Sequence, residues 1–132
     1  MTYCQFFAND IIRPVLNWHG VESIIKVRPY IIKNVCLAGG YNFTPEENSE
    51  IKGLFDYCEA CYFSSPIIDF LVDEKVRKIF NWRGLESHIG MEKQRIYTTA
   101  VSKYPLKPTE TIMLNDYFLE FFNLYNKIIL PQ

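Results

Sequence analysis

No apolar stretch of this chain approaches the ~18 residues that a membrane-spanning helix needs, and no signal-peptide pattern stands at its N-terminus. The expectation is a cytoplasmic chain with no membrane partner. Neither sign of charge dominates: 14 Lys and Arg stand against 15 Asp and Glu, for a formal net charge of −1. That is not the overall balance of a strongly basic nucleic-acid binder. A glycine-rich phosphate loop, a nucleophile elbow and an HExxH pattern are all missing from the sequence, so no enzyme class and no cofactor is expected. Cysteine is sparse, with Cys4, Cys36, Cys58 and Cys61. Cys58-x-x-Cys61 lacks the second pair, or the His-x-His, that would complete a four-ligand zinc site. The pair falls in a predicted helix beside Tyr57 and Tyr62, which points to packing. His19 and His88 form no repeated constellation and have no identifiable catalytic partner, so no catalytic or metal-binding residue is assigned.

What the chain does have is apolar and aromatic material, 48% and 16% of its residues, ample for a packed core. It also says one thing twice. Residues 17–23 read Asn-Trp-His-Gly-Val-Glu-Ser and residues 81–87 read Asn-Trp-Arg-Gly-Leu-Glu-Ser, an offset of 64 in 132 residues. A repeat at half-length predicts two copies of one unit, 1–64 and 65–132. The flanks agree at the same offset: Phe6 with Phe70, Arg13 with Arg77, Leu16 with Phe80, Ile25 with Ile89, Ile32 with Ile96. After a one-residue shift Pro45 meets Pro108, Glu47 meets Glu110, Phe55 meets Phe118 and Tyr62 meets Tyr125. A competing register, a few residues away, aligns Asp56-Tyr57 with Asp116-Tyr117.

The apolar spacing is helical in both copies. In the second, Ser65-Pro66 opens a helix carrying Ile67 to Phe80, with Asp73 breaking or re-capping it, and Gly84 ends it after Trp82. A short helix over 85–89, a turn at Gly90, a helix over 92–102 and a final helix over 109–126 follow. The first copy predicts helices over 9–18 and 21–25, then one opened by Pro29 and stopped by Gly39-Gly40. Thr44-Pro45-Glu46-Glu47 is a capping box that starts a helix running to Tyr62. The fold class is therefore all-α.

Apolar residues flank each turn at matching places: Leu85, Ile89, Met91 and Ile96 about Gly90, and Val21, Ile25, Val27 and Ile32 about Lys26. Two helices crossing steeply in a helix-turn-helix share four such inward positions. The run Leu85-Glu-Ser-His-Ile-Gly-Met-Glu-Lys-Gln-Arg-Ile-Tyr-Thr-Thr-Ala, with Leu106-Lys-Pro-Thr-Glu downstream, resembles the lambda-repressor/Cro-like helix-turn-helix family, especially short prophage and mobile-element regulators. The resemblance covers roughly 75–125 well and 12–62 more loosely. Glu86 and Glu22 stand where the family often has a small residue, and Lys26 replaces the turn glycine. The resemblance implies two tandem helix-turn-helix units in a pseudo-symmetric compact chain that binds double-stranded DNA.

In that fold the early residues of the second helix reach base edges. In the second copy these are Lys93, Gln94, Tyr97 and Thr98, with Arg95 nearby; in the first they are Arg28, Tyr30, Lys33 and Asn34. Lys103, Lys107 and Arg83 are placed to meet phosphates. Charge distribution agrees, because eight basic residues fall within 75–107 and no acid falls within 23–45. The bland alternative is a solvated face of ordinary helices. Trp18 and Trp82 are expected as core anchors that end equivalent helices. Tyr117, Phe118, Phe121, Phe122 and Tyr125 are denser than one helix face needs, which motivates burial against the first copy or a homodimer. The runner-up function is a protein-interaction module, such as a phage-encoded inhibitor of a host defence or polymerase complex.

Overall fold

A computed structural model describes residues 1–26, 32, 42–102 and 104–128. Among these the regular elements are all helical: α1 (Tyr3–Ala8), α2 (Trp18–Ile25), α3 (Pro45–Ser64), α4 (Ile67–Val72), α5 (Glu74–Ile79), α6 (Trp82–Ile89), α7 (Arg95–Ser102) and α8 (Pro108–Tyr125). The protein is all-α, and none of its described helices is long and apolar enough to cross a membrane.

Local chemistry sets most of the helix starts. Thr44 accepts the Glu47 N–H at 3.2 Å while the Glu47 carboxylate accepts the Thr44 N–H at 2.9 Å, the capping box that the sequence predicts. A second box, between Thr2 and Gln5, opens α1, a helix that periodicity alone does not reveal. Asp73 ends α4 and accepts the N–H groups of Lys75 and Val76, so the stretch expected over 67–80 is split in two. Hydrogen bonds from these donors and from the Tyr57 hydroxyl outweigh the effect of burial and hold the Asp73 carboxyl below its usual range. The helix expected over 9–18 is instead a series of turns over 9–15, in which Ile12 and Arg13 both donate to the Asn9 carbonyl.

The doubled motif turns out to begin helices, not to end them. Asn17 and Asn81 are N-caps, and their side chains accept the N–H groups of Gly20 at 3.2 Å and Gly84 at 3.1 Å. Trp18 and Trp82 are therefore the first residues of α2 and α6. Asparagine wins at these positions because its short side chain satisfies an N–H that the helix cannot. Both helices end in a left-handed residue, Lys26 at φ 53° and Gly90 at φ 82°.

The two copies meet along a short antiparallel seam. Leu16 bridges Phe80, two residues that are 64 apart. Asn17 N–H donates to Ile79 O at 2.8 Å, and Asn81 N–H donates to Val15 O at 2.7 Å. Each bond is the other shifted by 64 residues at both ends, so the seam is locally two-fold. The motif glycines press against it. A Cβ on Gly20 would lie 1.8 Å from Lys78 O, and one on Gly84 would lie 2.1 Å from Pro14 O. Only glycine permits so close an approach of one copy's helix to the other's backbone.

A second reciprocal contact joins α3 to α8. Phe55 packs on Tyr125 at 5.7 Å and Tyr62 on Phe118 at 5.8 Å. The Tyr125 hydroxyl, which donates to Asp56 at 2.7 Å, lies 3.1 Å from Lys52 O, and the Tyr62 hydroxyl lies 3.4 Å from Asn115 O. These pairs interchange at an offset of 63, the shifted register that the sequence offers for this region. Phe6 of α1 packs edge-on against Phe121 at 5.4 Å, and the Tyr117 hydroxyl donates to Ile11 O at 2.7 Å. The five aromatics of α8 are thus buried within one chain, largely against the first copy, and their density requires no second chain. Cys58 lies in this core, where burial pushes its thiol well above the ordinary range.

Candidate nucleic-acid interface

The α6–turn–α7 unit is organised by a buried acid. Glu86 is 2% exposed; its carboxylate accepts the Gln94 N–H at 3.0 Å and the Ile96 N–H at 2.8 Å. The Ile96 N–H belongs to the unsatisfied first turn of α7, and the Gln94 N–H to the residue just before it. A carboxylate there supplies two charge-assisted hydrogen bonds. The turn itself needs two left-handed residues, Gly90 and Gln94, the latter at φ 63°, and this delays the start of α7 from the expected Glu92 to Arg95. Glu22 repeats the arrangement by accepting the Ile32 N–H at 3.0 Å, again 64 residues apart at both ends. The glutamates that depart from the helix-turn-helix pattern are therefore structural brackets. Of the inward positions read from sequence, Leu85, Met91, Ile96, Val21, Ile25 and Ile32 are buried, while Ile89 is half-buried and Val27 lies outside the described residues.

The sequence-nominated contact residues divide into three sets. Lys93, Gln94 and Tyr97 are exposed on the turn and early α7, Thr98 is half-buried, and Arg83 and Lys107 are exposed. Arg28, Tyr30, Lys33, Asn34 and Lys103 lie outside the described residues. Arg95 is a correction. Its guanidinium is mostly buried and donates Nε–H to both Glu110 oxygens, at 2.9 and 3.1 Å, and Nη2–H to Pro105 O at 2.8 Å. It fastens α7 to the start of α8 and is not available to a base edge. Burial acts against Glu110 ionisation, but the Lys107 N–H and Arg95 more than compensate, so the carboxyl sits below its usual range.

A feature that sequence reading overlooked lies over the seam. A cleft of about 710 Å³ is bordered by Arg13 with Arg77, Asn17 with Asn81, Trp18 with Trp82, and His19 with Arg83, each pair 64 residues apart. The Arg77 guanidinium lies 4.8 Å above the Trp82 ring, a cation–π contact that holds it without neutralising it. Glu22 also borders the cleft. The signal was present in the sequence as the repeated Arg and Trp, but only the seam brings the two sets face to face. No family model matches the chain, and no curated protein or solved structure matches it either.

Proposed function

We propose that the protein is a double-stranded-DNA-binding regulator of helix-turn-helix type, as its resemblance to prophage and mobile-element regulators implies. The observation that carries the reading is the Glu86 bracket. It fixes the backbone of residues 94 and 96 and so holds the exposed Lys93, Gln94 and Tyr97 in one presentation at the start of α7. Preorganised side chains at that position suit a base-reading helix, for which Gln pairs with adenine and Lys with guanine. Arg83 and Lys107 supply phosphate contacts.

A second reading is favoured by a different observation. Tyr97 and Val101, one helical turn apart on α7, are 51% and 59% exposed, and Tyr104 beyond them is 64% exposed. Such an apolar stripe suits a protein partner better than a phosphate backbone. The double variant Lys93→Ala/Gln94→Ala separates the two. Under the DNA reading it abolishes binding to duplex at low salt; under the protein reading wild type and variant bind duplex equally poorly, and Tyr97→Ala disrupts function instead.

A further inference from the structure

We propose that the cleft over the seam binds a dinucleotide, a ligand with two planar bases and a phosphate charge on each half. Its size falls within the ~300–1,000 Å³ of small-molecule sites. Its chemistry is cationic and aromatic together, with Arg13, Arg77, Arg83, Trp18 and Trp82 all on its walls. Among the described residues none of these three guanidiniums is ion-paired with a carboxylate, whereas Lys52, Lys78 and Arg95 are. Three unneutralised guanidiniums in one concavity raise the local anion concentration, and their planar forks suit phosphate oxygens. Glu22, the carboxylate at the wall, has one oxygen occupied by the Ile32 N–H.

The form of the ligand follows from the local two-fold arrangement. Arg13 and Trp18 recur as Arg77 and Trp82 across the Leu16–Phe80 bridge, so a guanidinium and an indole border each half of the site, in the second half with the Arg77 guanidinium stacked on the Trp82 ring. Bases stack on indole and on guanidinium faces, and phosphates take the guanidinium forks. A single inorganic anion would make no use of the Trp18 indole or of the Arg77–Trp82 stack. The proposal is separable from the DNA reading, since Lys93, Gln94 and Tyr97 are not cleft residues and Arg83 is the one nominated DNA contact that borders the cleft.

Trp18 and Trp82 are the chain's 2 tryptophans and both border the cleft, so fluorescence excited selectively at tryptophan reports on its surroundings. The full chain is titrated with cyclic diadenylate, with linear 5′-phosphorylated diadenylate, and with pyrophosphate as a probe lacking bases. The expected result is saturable quenching by one or both dinucleotides at lower concentration than any response to pyrophosphate. The midpoint should rise about tenfold or more in Arg13→Ala and in Arg77→Ala, the loss of one charge-assisted contact, and stay unchanged in Lys93→Ala. Both arginines are exposed, and circular dichroism of each variant confirms that it folds. Absence of saturable quenching by either dinucleotide, an equal or tighter response to pyrophosphate, or midpoints indifferent to both arginines would overturn the proposal.

Discussion

The backbone N–H of Asn17 donates to the carbonyl of Ile79 at 2.8 Å, and the bond is returned from Asn81 to Val15 at 2.7 Å. This exchange makes the two motif copies each other's packing surface, and it explains why the motif keeps glycine. In Gly20→Ala or Gly84→Ala the new methyl meets the other copy's carbonyl, and stability should fall by about 2 kcal/mol or more, as for overpacking of a tight site. Gly53, inside α3, has open space where its Cβ would be. Gly53→Ala should therefore raise stability by about 1 kcal/mol. Urea unfolding of the three variants checks this, and a gain in stability for Gly20→Ala and Gly84→Ala would show that the seam is not tight.

Glu86 is the bracket on which the presentation of α7 depends. Glu86→Ala strands the buried Ile96 N–H and the part-buried Gln94 N–H, a buried one being worth roughly 1–3 kcal/mol when left unpaired. A loss of about 2–4 kcal/mol is expected, with faster amide hydrogen exchange at Gln94 and Ile96. Glu86→Gln should lie between, because its amide keeps one acceptor and turns a donor towards the other N–H. Unchanged exchange at those two amides would mean that the carboxylate does not hold the turn.

Lys26 occupies the left-handed position that Gly90 holds in the second copy. A side chain there costs about 1 kcal/mol, so Lys26→Gly should raise the urea midpoint, whereas Gly90→Ala should lower it. The opposite pair of signs would contradict the equivalence of the two turns.

Acid should weaken the α7–α8 junction in a defined direction. Glu110 has its carboxyl held below the ordinary value by the Lys107 N–H and Arg95, in spite of burial. A carboxyl that is depressed in the folded state contributes its stability above the unfolded value, about 4.3 for glutamate, and loses it as pH falls through the folded value. Glu110→Gln should therefore be less stable than wild type at neutral pH, with the difference closing as pH falls below the ordinary glutamate range. A difference that is independent of pH would assign the loss to packing.

Much of the architecture was legible because repetition and helical spacing are local signals. The inward residues Leu85, Ile96, Val21 and Ile32 and the Thr44–Glu47 capping box all follow from neighbours a few positions apart. The direction of the motif is ambiguous in sequence, because Asn-Trp-x-Gly fits a helix end ahead of glycine as well as a cap three residues before one; the Asn17 and Asn81 side chains decide between these by bonding forward. Arg95 looked free because its partner, Glu110, is 15 residues away across a proline-containing link. The cleft could not be read at all, since it exists only where backbone groups 64 residues apart pair.

The most direct test of the functional account is fluorescence anisotropy of a labelled random duplex titrated with wild type and with Lys93→Ala/Gln94→Ala, at low and at moderate salt. The account predicts that wild type binds at low salt and weakens as salt rises, as phosphate contact requires, and that the double variant loses binding while retaining its helical circular-dichroism signal. Absence of wild-type binding at low salt, or equal binding by the two proteins, would contradict it.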